Sequence, residues 1–174
     1  MMYPRRLGRR ALLASALLLL PACVVDMIET VDGAALARVG AYHDMDELSR
    51  EPYASELAPA RITVWFDGES EDEYLRIHPD VDGSGAHVAP GSMIVREVRD
   101  AAGTITKLTV MCKGPPGYNA DLGDWWFAVT DPDGLPLPDA AGTPIVGKVG
   151  DCYSCHAERA ADDFLFGMPA AETR

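Results

Sequence analysis

Met93-Ile94-Val95-Arg96-Glu97-Val98 and Thr104-Ile105-Thr106-Lys107-Leu108-Thr109-Val110-Met111, with Asp100-Ala101-Ala102-Gly103 between them, decide the fold class. Both runs are rich in β-branched residues, and the Asp-to-Gly interval has hairpin length, so the pair predicts two antiparallel strands. Alternation along the second run places Leu108, Val110 and Cys112 on one face, as a half-buried sheet requires. Working outward, Arg61 to Phe66 and Trp125 to Thr130 are further β-rich runs cut off by Gly, Pro and Asp. Gly114 to Gly123 reads as a long loop before the last strand, and the Pro- and Gly-rich span Asp131 to Gly150 as an irregular connection. Asp80-Val81-Asp82-Gly83-Ser84-Gly85 begins like an EF-hand loop, but its twelfth position is Gly91, where a bidentate glutamate is needed. It reads as a turn.

The segment before the strands has a different character. Ala34-Ala35-Leu36-Ala37 and Asp44-Met45-Asp46-Glu47-Leu48 read as short helices, and Pro52 and Pro59 close the stretch. Further upstream, Arg5, Arg6, Arg9 and Arg10 precede the apolar run Ala11 to Leu20 and then Pro21-Ala22-Cys23. A charged region, a short apolar region and a processing site make a secretory signal, and the apolar run is too short to span a bilayer. Leu20-Pro21-Ala22-Cys23 is similar to a bacterial lipobox, which makes Cys23 the lipidated residue and the periplasmic face of a membrane the destination. An ordinary secretory signal cut nearby is the other reading, and the arginine pairs fit twin-arginine as well as general export. The expected organisation is a signal over 1–22, a tether with short helices over 23–59 and one domain over 60–174.

Residues 1–22 hold four of the 15 basic residues and none of the 27 acidic ones, so the processed chain carries 11 basic residues and a formal charge of −16. Such a surface repels phosphate backbones and excludes nucleic acid as a partner. It suits a basic redox partner protein.

Near the C-terminus stands Cys152-Tyr153-Ser154-Cys155-His156. C-x-x-C-H is the attachment signature of c-type haem: each thiol forms a thioether to one vinyl group, and the adjoining imidazole is an axial iron ligand. A redox C-x-x-C would sit in a βαβ context, and a zinc site would need a second ligand pair. A structural disulfide between the two cysteines is the remaining alternative. The expected cofactor is one covalent haem c held by Cys152 and Cys155, with His156 as proximal ligand. The cysteine count closes around it, since Cys23 takes the lipid and Cys112 is left as a buried apolar residue.

Four stretches in order resemble the cytochrome P-460 family, which includes the cytochromes c′-beta. Ala89-Pro90-Gly91-Ser92-Met93-Ile94-Val95-Arg96-Glu97 is similar to its P-x-G-x-x-[IV]-V-[KR]-E strand. Thr109-Val110-Met111-Cys112-Lys113 is similar to its V-M-x-K strand, Gly123-Asp124-Trp125-Trp126-Phe127 to its glycine-tryptophan strand, and the haem motif closes the order. The resemblance implies an α+β fold, mainly antiparallel β-sheet, with an N-terminal helical segment and a C-terminal haem-attachment segment. It implies an iron whose distal site is open to a small nitrogen-containing ligand, nitric oxide or hydroxylamine, and it makes a homodimer plausible.

The distal side is where the sequence departs from the family. Many relatives carry lysine where Arg96 stands, and enzymes of the family cross-link a lysine to the haem. Arg96 and Lys113 are the candidate catalytic residues here, with Lys113 also readable as a sheet lysine facing solvent. Phe66, Trp125, Trp126 and Phe127 are candidates for pocket walls or for plain core. A methionine as sixth ligand, from Met93, Met111 or Met168, would instead make a six-coordinate electron carrier. A haem sensor or structural lipoprotein without turnover is the third reading.

Overall fold

Asp100 builds the central hairpin. Its carboxylate accepts hydrogen bonds from the backbone N–H of Ala102 and Thr104, at 2.9 and 3.0 Å, and Gly103 supplies the left-handed turn residue at φ 85°. The structure is a computed structural model that describes residues 32–55, 59–81 and 83–174. The export segment and Cys23 lie outside the described residues.

In chain order the strands are β1 (Asp46–Glu47), β2 (Tyr53–Ala54), β3 (Arg61–Asp67), β4 (Met93–Arg99), β5 (Ile105–Lys113), β6 (Trp125–Thr130) and β7 (Val146–Gly147). They form one antiparallel sheet in the order β1-β3-β4-β5-β6-β7, with β2 also paired to β3. Among the described residues three α-helices accompany it: α1 over residues 32–39, α2 (Glu71–Leu75) and α3 (Gly150–His156). This is the mainly antiparallel α+β arrangement expected from the strand runs.

Register sorts the side chains onto two faces. Phe66, Ile94, Met111 and Phe127 lie opposite one another across β3 to β6, and the neighbouring row on the same face is Val64, Arg96, Thr109 and Val129. The other face carries Val95, Val110 and Ala128 in one row, with Met93, Cys112 and Trp126 beside it. Ala35 and Val39, one helical turn apart on α1, cover this second face together with Tyr42. Cys112 is buried there, on the same face as Leu108 and Val110, as alternation required. Burying each large apolar side chain contributes about 1.5–3 kcal/mol before the entropy of ordering is charged against it.

The expected helix over residues 44–48 does not form. A 3-10 turn, Tyr42–Asp44, leads directly into β1, where Asp46 and Glu47 pair with Phe66 and Trp65. Sheet pairing wins here because it buries Leu48 while Leu48 N–H donates to Val64 O at 2.8 Å. Within the 23–59 stretch read as tether and short helices, Asp46–Glu47 and Tyr53–Ala54 pair into the sheet. The chain end returns to the same edge, with Arg174 N–H bonded to Leu48 O at 3.0 Å and Arg50 N–H to Glu172 O at 2.8 Å.

Candidate functional site

Residues 152, 155 and 156 fall at i, i+3 and i+4 on α3, so all three side chains share one helix face. That face looks onto the first face of the sheet across a cleft of about 230 Å³, lined by Cys152, Cys155 and His156 from the helix and by Ile94, Arg96, Thr109, Met111 and Phe127 from the strands. Two contacts set the helix over the sheet. The Tyr153 ring stands edge-on to Phe127 at 5.0 Å, and Asn119 Nδ2 donates to the Tyr153 hydroxyl at 2.6 Å.

His156 is held in one orientation. Its Nδ1 lies 2.6 Å from the backbone oxygen of Phe164, so Nδ1 carries the proton and donates, leaving the Nε2 lone pair free. The ring stands between Phe127 and Phe166, with centroids at 5.2 and 5.1 Å. Burial pushes its pKa down to about 4, assisted by the Arg96 charge and opposed by the bond to Phe164. The imidazole is thus a neutral donor to a metal across the neutral pH range.

Both cysteines are free thiols, Cys152 half-buried and Cys155 exposed. Burial raises the Cys152 pKa, with the carboxylate of Asp151 adding to the effect. A redox C-x-x-C depends on a depressed thiol, so the shift at Cys152 runs against that chemistry. Among the described residues no group of three or more His, Cys, Asp or Glu side chains is arranged to hold a bare metal ion. A haem iron needs no such group, since the macrocycle supplies four nitrogens and the protein one axial imidazole. Two adjacent thiols, an oriented neutral imidazole and a largely apolar cleft fit that cofactor.

Of the residues singled out in the sequence, Arg96 reaches the cleft. Its Nη2 donates to Phe166 O and approaches the Tyr74 hydroxyl at 3.5 Å, which fixes the guanidinium at the cleft wall. Arg96 also lines a second cleft of about 160 Å³ beside Tyr53 and Phe166. Lys113 does not face solvent. It is 5 % exposed, and its Nζ is 2.5 Å from Asp163 Oδ1. Met111 lines the cleft, Met93 lies on the opposite face, and Met168 is packed in the core beneath the site. Among the four aromatic candidates, Phe127 lines the cleft, whereas Phe66 and Trp125 are core on that side and Trp126 faces the other way.

The segment after the C-x-x-C-H run was not legible as a functional element. Arg159 Nη2 donates to the carbonyl oxygens of His78 and Val81, at 2.8 and 3.1 Å. Asp162 accepts from the backbone N–H and the hydroxyl of Ser84, at 2.6 and 2.5 Å. The Asp80 to Gly85 stretch, read as a turn, is thereby docked by its Gly83-Ser84 end against the segment that orients His156. The only trace of this in the sequence is the acidic pair Asp162-Asp163 in an otherwise apolar run.

The chain matches no protein-family model and no curated protein.

Proposed function

We propose that this protein is an exported, lipid-anchored monohaem c-type cytochrome of the cytochrome P-460 type, with Cys152 and Cys155 as thioether donors and His156 as proximal iron ligand. The observation that carries the reading is the His156 imidazole, neutral, tied through Nδ1 to Phe164 O, and placed on one helix face with both thiols. A ligating histidine needs this arrangement, because the bond at one ring nitrogen fixes the tautomer and aims the other.

Each residue has a defined task. Cys152 and Cys155 would hold the haem, each thiol supplying one thioether, and His156 would supply the imidazole to its iron. When bound, the haem supplies a redox-active iron with a position for a small ligand, nitric oxide or hydroxylamine. Ile94, Met111 and Phe127 exclude water from one side of the cleft. Among the described residues Arg96 is the one cation lining the cleft, from which it would donate hydrogen bonds to a bound anion or oxygen atom and stabilise negative charge.

The test is expression in a host that attaches c-type haem. One haem should remain on the chain under denaturing conditions, and Cys152→Ala with Cys155→Ala should abolish that. A haem-free product from a host that matures other c-type cytochromes would overturn the reading.

A six-coordinate electron carrier is the second reading, and Met111 favours it because its thioether lines the cleft. A low-spin spectrum that turns high-spin in Met111→Ala would establish it; a wild-type protein already high-spin and responsive to nitric oxide would remove it.

A further inference from the structure

We propose that Lys113 and Asp163 are positioning residues that hold the axial histidine through a strained turn, an inference that rests on the reading of His156 as iron ligand. Asp163 and Phe164 are consecutive non-glycine residues in the left-handed region, at φ 54° and 62°. Such conformations are unfavourable for residues with a Cβ and persist only where the surroundings impose them. The surroundings here do so at four points. Asp163 Oδ1 meets Lys113 Nζ at 2.5 Å, Asp163 Oδ2 accepts from Val88 N–H at 2.8 Å, and Asp163 O accepts from Trp125 Nε1 at 2.7 Å. Phe164 N–H then donates to Arg159 O at 2.8 Å.

The turn these bonds impose delivers Phe164 O to His156 Nδ1 at 2.6 Å. Lys113 projects from the end of β5 on the same sheet face as the cleft, with its ammonium over the Trp125 ring at 4.7 Å, so the clamp is anchored in the paired strands β5 and β6. Both members of the ion pair are 5 % exposed. A buried pair of this kind seldom adds net stability over an apolar pair of equal volume, whereas it does fix direction. An apolar contact at Asp163 would fill the same space without dictating where the next carbonyl points.

The consequence is electronic as well as geometric. A firm Nδ1–H···O bond gives the imidazole more anionic character, which strengthens the iron–histidine bond and favours the ferric state. The haem-loaded protein should be compared with its Asp163→Asn, Lys113→Gln and Lys113→Arg variants by resonance Raman of the ferrous iron–histidine stretch and by redox titration. Asp163→Asn and Lys113→Gln should lower the stretching frequency and make the potential more positive, with Lys113→Arg restoring most of both. Glu97→Gln serves as a control for stability loss alone, because Glu97 belongs to a buried network with Tyr42 and Arg99 on the opposite sheet face. It should leave frequency and potential unchanged.

If Asp163→Asn or Lys113→Gln lowers the denaturation midpoint while both readouts stay at wild-type values, the clamp is refuted and the haem site stands. If His156→Ala leaves the iron spectrum unchanged, the haem-site reading falls and the clamp with it. Should Asp163→Asn not accumulate, the Lys113 pair of variants decides the matter, since Arg keeps the charge and Gln removes it.

Discussion

At the scale of single residues, His156 is where sequence and geometry converge. Its type and its place after Cys155 are plain in the chain, but its tautomer depends on Phe164 O, eight residues on, which no short motif contains. On the proposed haem reading, His156→Ala should keep covalent haem, because both thiols remain, while the iron spectrum changes and added imidazole restores it. Attachment lost together with the spectrum would mean that the histidine acts mainly in folding the motif. Lys113 shows the opposite limit. A lysine at the end of an alternating strand looks solvated, and only the partner 50 residues away at Asp163 makes its burial tolerable. Tertiary pairing of that kind has no local signature.

At the scale of elements, the four long strands were legible because β-branched alternation and the Asp100 turn act locally, and the structure reproduces them within about two residues at each end. Two-residue strands were not legible. β1, β2 and β7 exist through pairing with strands already formed, and a stretch such as Asp46-Glu47 has no β preference of its own. The loop before β6 carries a further dependence. Gly123 sits at φ 59°, and a Cβ there would stand 2.7 Å from the Phe164 ring. Gly123→Ala should therefore cost about 1–2 kcal/mol from the backbone alone. The clash adds to this and displaces Phe164 from the turn below His156. Urea denaturation measures the first effect, and the iron–histidine stretch the second; a variant unchanged in both would show that the loop yields freely.

At the scale of the whole molecule, the sheet separates two interiors. One face, under α1, buries Trp126, Cys112 and the Tyr42–Glu97–Arg99 network, while the other carries the cleft, the thiols and the clamp. The proposed attachment to a membrane is tested at this scale too. Cys23→Ser should move the exported protein from the detergent phase to the aqueous phase in a cloud-point partition, and a wild-type protein found in the aqueous phase would refute the anchor. An anchored protein is confined to two dimensions at high local density, where exposed strand edges invite stacking into fibres. Here β3 is flanked by the short β1 and β2, with Ser49 Oγ accepting from Val64 N–H at 2.8 Å, and β6 is flanked by β7 and by Leu137 N–H and Ile145 O bonded to Val129. Among the described residues a neighbouring copy meets short strands at both edges and no long run of unpaired amides, so on the proposed membrane anchor crowding would not template cross-β growth, and copies would recognise each other through side chains.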